Sequence, residues 1–445
     1  MGNCLKSKAS DKLVCYEKSV IIFIKQDDSL DKFLPTEKIK LKLTDPIREL
    51  SENFIIGTYK MHATGCAVPG QDPRGNSLKI CQDHFFISNK PDYLFITLYD
   101  GHGSKGEDIV KYTHKYMEEK FLVENFHRRD CEMFLKEMFE SCDIALKSQG
   151  KSINVYGSGT TAVSILFCCD GIFVASVGDS RAILSTIPDE QYIPVNQNKN
   201  SQFNKRFTPL RVLEPIQLTT DQKPNIESEF NRIIAAGGVV EKSKDETGEE
   251  YGPYRVFHKG KNIPGLAMSR SLGDMAAKKV GVISTPIIDF YPLVPFKDQF
   301  IVIASDGIWD TMENYEVTDF VETFRKKCLP EPQIIETQGN LVETRNSTIA
   351  RLLVEEARYR WLMVCCNENT IIDDISAVVI EINTQELAAN ESDEISCSRI
   401  SKYTSSCNDF NTSSKSIKHA TARDTIISSY GLDDSSSDEE IINQY

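Results

Sequence analysis

Leu94-Phe95-Ile96-Thr97-Leu98-Tyr99 runs straight into Asp100-Gly101-His102-Gly103. A short apolar run closed by Asp-Gly reads as a buried strand ending in an acid. The chain makes the same move three more times. Ile172-Phe173-Val174-Ala175-Ser176-Val177 leads into Gly178-Asp179-Ser180, and Phe300-Ile301-Val302-Ile303-Ala304-Ser305 leads into Asp306-Gly307. Ile371-Ile372 leads into Asp373-Asp374, with Ile375-Ser376-Ala377-Val378-Val379-Ile380 behind it. An acid at the end of a buried strand is costly unless something neutralises it. Four such strand ends, from distant parts of one chain, point to a shared neutraliser. For clustered carboxylates that is a hard divalent cation, Mg2+ or Mn2+.

Outward from these ends, strand-like and helix-like segments alternate in blocks from about residue 50 to 384. Strands are expected at 53–59, 84–88, 93–99, 160–168, 172–177, 181–185, 299–305 and 376–382. Cys168-Cys169-Asp170-Gly171 reads as a hairpin turn. Helices are expected at 106–124, 131–147, 227–236, 315–327 and 348–364. In the third of these, Phe230, Ile233 and Ile234 share a face, and Gly237 supplies a C-cap. Hairpins with paired helices between them argue for antiparallel sheets covered by helices. The polar stretches 186–211, 241–262 and 329–346 read as surface loops.

Bulk properties exclude several classes. The formal net charge of −14 over 445 residues, with no basic helix or aromatic-interleaved basic stripe, argues against a nucleic-acid partner. The 13 cysteines form no Cys-x-x-Cys pair and follow no secretory signal, so reduced thiols and a cytoplasmic setting are expected. No apolar run approaches the roughly 18–20 residues of a membrane span.

The two ends read differently from the middle. Met1-Gly2-Asn3-Cys4-Leu5-Lys6-Ser7-Lys8 places Gly2 for N-myristoylation and Cys4 beside it for palmitoylation, with Lys6, Lys8 and Lys12 to meet anionic lipid. The motif prefers Ser or Thr where Lys6 stands. Residues 1–18 are thus expected to tether the chain to the inner face of a membrane. Residues 385–445 are rich in Ser and Thr and end in Asp433-Asp434-Ser435-Ser436-Ser437-Asp438-Glu439-Glu440, which cannot offset its ordering entropy by burial.

The blocks along residues 53–384 resemble those of the metal-dependent serine/threonine protein phosphatases of type 2C, and occur in that family's order. They are Lys79-Ile80-Cys81-Gln82-Asp83, Asp100-Gly101-His102-Gly103, Ser158-Gly159-Thr160-Thr161-Ala162 and Val177-Gly178-Asp179-Ser180-Arg181-Ala182. Then come Leu218-Thr219-Thr220-Asp221-Gln222-Lys223-Pro224, Leu266-Ala267-Met268-Ser269-Arg270-Ser271-Leu272-Gly273-Asp274, Ala304-Ser305-Asp306-Gly307-Ile308-Trp309-Asp310 and Asp373-Asp374-Ile375-Ser376. The resemblance implies an α/β sandwich, two antiparallel sheets with helices on both outer faces. It also implies a monomer acting on phosphoproteins. A pair of Mg2+ or Mn2+ ions would hold the hydroxide that attacks phosphoserine or phosphothreonine. Under it, Asp100 bridges both ions and Gly101 offers its carbonyl. Asp306 and Asp373 serve the first ion, Gln82 and Asp83 lie beside the second with Gln82 acting through water, and Asp179 and Asp310 match a third, looser ion. His102 is the implied general acid. Lys79 and Arg74 are the cations nearest the place where the family grips phosphate.

Three departures from the family pattern stand out. Lys79 takes the phosphate-gripping role usually given to arginine, a point charge in place of a fork. Gln222 replaces a histidine in a block that reads as structural. Asp374 replaces an asparagine and is expected to add negative charge near the first ion. A pseudophosphatase scaffold and a hydrolase of small phosphoesters are the competing functions. The first would want a missing metal acid, and the second would prefer small phosphoesters to phosphopeptides.

Overall fold

The computed structural model describes residues 14–16, 19–21, 48–72, 79–150, 153–192, 212–325, 334–337, 340–343, 348–365 and 371–384. The chain divides after Glu386. The C-terminal stretch and the candidate residues Gly2, Cys4 and Arg74 lie outside the described residues, as does the N-terminal tether apart from a short strand pair, Val14–Tyr16 with Ser19–Ile21.

The long apolar runs are buried on both faces. In the strand Asp298–Ala304, Ile301 and Ile303 point into one core while Phe300, Val302 and Ala304 point into another. The strand Tyr93–Gly103 does the same, sending Leu94, Ile96 and Leu98 inward and Phe95 and Tyr99 outward. A period of two with both faces covered is why these runs carry no polar alternation. The shared inner core makes the two strands members of facing sheets.

One sheet has the order Glu214–Gln217, Arg181–Thr186, Asp298–Ala304, Ile375–Thr384, Tyr59–Val68, Arg48–Ile56. The other runs Leu272–Gly273, Ser158–Thr160, Tyr93–Gly103, Ala162–Cys168, Gly171–Val177, Ile287–Pro292, with Asp83–Lys90 also paired to Tyr93–Gly103. Every ladder within both sheets is antiparallel. Helices Gly106–Val123 and Cys131–Ser148 cover the second sheet, and Asn314–Arg325 with Ile349–Cys365 cover the first. Ile109, Thr113, Met117 and Phe121 recur at four-residue steps in the first of these helices, which gives it one buried stripe. The architecture is the expected α/β sandwich.

Three expectations are corrected. Residues 53–59 are not one strand. Gly57, at φ +58°, turns the chain between Arg48–Ile56 and Tyr59–Val68. The second of these strands went unread because Gly65 and its small neighbours mask it. A Cβ on Gly65 would lie 2.4 Å from the Phe85 ring of the facing sheet, so the glycine is a packing requirement. Residues 241–262 are not a loop but mostly the hairpin Gly238–Lys244 with Glu250–His258, extended by Pro264–Leu266. Its exposed faces explain its polar sequence.

The third correction concerns the helix Glu227–Ala235. Ile233 is buried, but Phe230 and Ile234 are 37% and 44% exposed. The buried face instead carries Glu229, whose carboxylate accepts hydrogen bonds from Arg232, Arg270 and Ser269 at 2.7, 2.7 and 2.5 Å. Burial opposes its charge, yet these donors outweigh burial and hold the carboxyl at about 2. A carboxyl depressed from its ordinary 4.5 stabilises the fold above that pH and loses its contribution as pH falls toward 2. Glu229→Gln should therefore cost roughly 3–5 kcal/mol at pH 7, because Arg232 and Arg270 lose their counter-charge and keep only backbone carbonyl acceptors. The gap from wild type should narrow between pH 4.5 and the acid limit in urea unfolding. A gap independent of pH would mean the arginines find other partners.

Candidate active site

The acids meet at one edge of the sandwich. Asp83 and Asp100 are register partners on neighbouring strands of the second sheet. At Asp100 its strand changes neighbours: Leu94–Leu98 pair with Val163–Phe167, while Gly101–Gly103 pair with Ser158–Thr160. The backbone of Asp100 is tied at this junction. Its N–H donates to Thr161 Oγ1 at 3.0 Å, and its carbonyl accepts from the Thr161 N–H at 2.9 Å and Thr160 Oγ1 at 3.1 Å. Gly101 must be glycine here, since a Cβ would lie 2.7 Å from both the Gln82 carbonyl and Val110.

The first sheet supplies the opposing acids. Asp306 follows Asp298–Ala304 and Asp373-Asp374 precede Ile375–Thr384, two strands paired through Ala304 and Ala377. Ser305 N–H donates to the Ser376 carbonyl at 3.1 Å and locks these ends together. Asp179 sits where the chain crosses between sheets, from Gly171–Val177 to Arg181–Thr186, and Asp310 follows the short helix Asp306–Trp309.

The electrostatics are those of an under-neutralised acid cluster. Asp83 is 4% exposed. The Ser305 and Ser376 hydroxyls stand near it, but neither carboxylate oxygen has a partner in hydrogen-bonding geometry, and Asp179 Oδ1 is likewise orphaned. Burial first, and then Asp374, raise the Asp83 carboxyl to about 8. Burial and the neighbouring acids also lift Asp100 and Asp306 well above the usual carboxylate range. Burial raises Asp310 against the pull of Lys223. Orphaned buried oxygens among mutually repelling acids suit hard divalent cations, so the donor set fits Mg2+ or Mn2+. Among the described residues, no three such side chains converge to ligand distance as they stand.

Two lysines hold three of the acids. Lys79 donates to Asp373 Oδ1 at 2.9 Å and lies 3.2 Å from Asp374 Oδ1. Lys79 thus contacts Asp373 and Asp374 rather than standing free for phosphate. Lys223 pairs closely with Asp179, where a third ion was expected. Gln82 turns its amide away from the acids and donates to the Gly103 carbonyl at 2.9 Å. Gln222 is structural, accepting the Gly178 N–H at 2.6 Å and donating to the Ser176 carbonyl at 3.1 Å.

His102 has a partner that the sequence reading passed over. Its Nε2 lies 2.8 Å from Asp274 Oδ2, which also accepts from Ser271 Oγ at 2.7 Å. Burial works against the imidazolium, but the Asp274 charge outweighs it and raises His102 above its ordinary value. The ring keeps 25% of its side chain open, so it is reachable from solvent. Asp274 has φ +51°, a left-handed backbone unusual outside glycine and a mark of functional strain. A Cβ on Gly159 would strike its carboxylate at 2.1 Å. The one legible signal was an Asp directly after Leu272-Gly273.

Residues 74–359 match the family model for protein phosphatase 2C. The chain belongs to the protein phosphatase 2C family. It is 32% identical over 306 residues to the probable protein phosphatase 2C 34 of Arabidopsis thaliana, covering 65% of this chain and 72% of that one. It is 34% identical over 242 residues to the probable protein phosphatase 2C 14 of Oryza sativa subsp. japonica, covering 54% of this chain but only 38% of that one. In fold it is similar to a serine-threonine phosphatase 2C from Toxoplasma gondii, with TM-score 0.54 and 17% identity over 77% of this chain and 100% of that one. A C. elegans sex determining protein is similar too, with TM-score 0.51 and 19% identity over 72% of this chain and 64% of that one. The protein phosphatase 2C sandwich is thus the frame on which these acids are mounted.

The His102–Asp274 pair sets an imidazole of raised pKa beside the acid cluster. His102→Ala should lower kcat on phosphoseryl peptides by roughly 10²–10⁴, the span of general acid catalysis. Asp274→Asn should lower it in the same direction, and both losses should shrink on aryl phosphates, whose leaving groups need little protonation. Equal losses on both substrates would make the pair structural.

Proposed function

We propose that the chain hydrolyses phosphoserine and phosphothreonine in proteins at a two-ion Mg2+ or Mn2+ site. The carrying observation is the register pairing of Asp83 with Asp100, a buried carboxylate with no hydrogen-bond partner on either oxygen set against a half-buried one. Asp100 and the Gly101 carbonyl, with Asp83, Asp306 and Asp373, would hold the ions. When bound, the ions would supply a water of lowered pKa as nucleophile and neutralise the phosphate. The residues do the rest. The tied backbone of Asp100 holds its carboxylate in place, and Lys79 offers the phosphate a cation once it is released from Asp373. His102, oriented and raised through Nε2 by Asp274, gives the proton of its other ring nitrogen, Nδ1, to the departing seryl oxygen. A scaffold without turnover would call for a missing acid, and all the principal ones are present.

The third ion is the weaker part of this reading, because Lys223 already neutralises Asp179. The N-terminus adds a location. Gly2 with a myristoyl chain, Cys4 with a palmitoyl chain and Lys6, Lys8 and Lys12 would hold the domain on an anionic membrane surface.

Phosphopeptide hydrolysis should require added Mg2+ or Mn2+ and stop in excess EDTA. Asp306→Asn should be folded and nearly inactive, and its metal-free form should melt no lower than wild type, since one repelling charge is gone. Turnover in EDTA ends the two-ion reading. In eukaryotic cells, Gly2→Ala should move the protein from the membrane to the soluble fraction, with Cys4→Ser doing so in part. An unmodified N-terminal mass in the wild type would remove the anchor.

A further inference from the structure

We propose that Asp374 is a positioning residue for the ion site, and that Gln82 carries its hold onward to the strand end bearing His102. Asp374 departs from the family pattern, which has an asparagine after Asp373, and Gln82 is the variant form of the pair Gln82-Asp83. The two together carry their negative charge at position 374 and not at position 82, and the geometry gives each residue its task.

Asp374 is 3% exposed, and each of its oxygens holds a different segment. Oδ1 accepts the Gly70 N–H at 2.6 Å, just past the strand Tyr59–Val68. Oδ2 accepts the Gln82 N–H at 2.8 Å, just before the strand Asp83–Lys90. Lys79 stands 3.2 Å from Oδ1. The contact with Gly70 is close by construction. A Cβ there would lie 2.2 Å from the Ile372 carbonyl, and Gln71 and Ile372 exchange two backbone hydrogen bonds of 2.8 Å. Asp374 therefore does not serve merely as extra charge beside an ion: both oxygens are taken by backbone donors.

The second link is the Gln82 side chain. Its amide donates to the Gly103 carbonyl at 2.9 Å, one residue past His102. A carboxylate at position 82 could only accept and would face that carbonyl with a lone pair. An asparagine at 374 would offer one acceptor oxygen where two N–H groups wait. Glutamine at 82 and aspartate at 374 are therefore a matched pair. Through them the segment bearing Asp373 fixes the segment bearing Asp83, and that segment fixes the strand end bearing Asp100 and His102.

The role rests on the two-ion reading above, so its test reads ion binding separately from turnover. Mn2+ affinity of the full chain is measured calorimetrically, with metal-free melting temperature and with kcat and KM on a phosphoseryl peptide. Asp374→Asn and Gln82→Glu should each weaken Mn2+ binding roughly 10- to 100-fold, the usual reach of residues that orient ligands. The double variant should bind better than the product of the two losses, because the charge returns to position 82. Should Asp374→Asn not fold, Gln82→Met keeps the backbone N–H and removes only the amide, and should lower kcat more than it raises KM. Lower melting with unchanged Mn2+ affinity in the variants overturns the positioning role and leaves the phosphatase reading intact. Mn2+ binding by wild type without any turnover overturns the phosphatase reading and leaves the positioning role. Failure of wild type to bind Mn2+ overturns both.

Discussion

Asp83 and Asp100 face one another across a single ladder at the edge of the sandwich. Side chains in such register stand roughly 5 Å apart, and at an effective dielectric near 20 two like charges there repel by about 3 kcal/mol. That is a large share of the roughly 5–15 kcal/mol by which a domain is stable. The rest of the site is arranged around this repulsion. The backbone of Asp100 is bonded on both its N–H and its carbonyl, so the strand cannot relax to separate the pair. Proton uptake relieves part of the strain, which is why burial and neighbours raise these carboxyls together. A cation relieves it without a proton.

The sandwich is the device that lets one cation site draw on four distant parts of the chain. Neither sheet could supply the acids alone. Asp83 and Asp100 belong to the second sheet, while Asp306 and Asp373 flank adjoining strands of the first. Asp179 lies on the crossover between them, where Gly178 takes φ +99° and the Gln222 side chain fastens its N–H. The inner core of Leu98, Val163, Ile303 and Val378 clamps the two sheets face to face. Packing energy spent on apolar surface thus holds repelling acids at one rim.

The strand-end acids were legible because an apolar run followed by Asp-Gly has few other readings, and the blocks in order gave the sandwich. The strand Tyr59–Val68 was not legible, because Gly65 answers to Phe85 in the other sheet and nothing local announces it. Asp274 was not legible either. Its partnership with His102 spans 172 residues and depends on a left-handed backbone that only the folded chain imposes. Lys79 shows the limit in a third form. Its charge could be read from the sequence, but its commitment to Asp373 and Asp374 could not.

Pairing lysines with acids has a consequence for how ions enter. Lys79 and Lys223 neutralise Asp373 and Asp179 in the metal-free chain, so arriving ions compete with built-in cations at the rim but not at Asp83, whose oxygens are orphaned. The deepest position should therefore be the one that most favours an ion. The acid and base sides of the chemistry are then separated by geometry alone. Asp100 and His102 are two residues apart on one strand and share a face, about 7 Å along the chain. The intervening Gly101 backs onto Val110 and Gln82. One strand, by its period of two, sets the Asp100 carboxylate and the His102 imidazole on one face, and Asp274, just past the near edge strand of the same sheet, holds the imidazole by its Nε2.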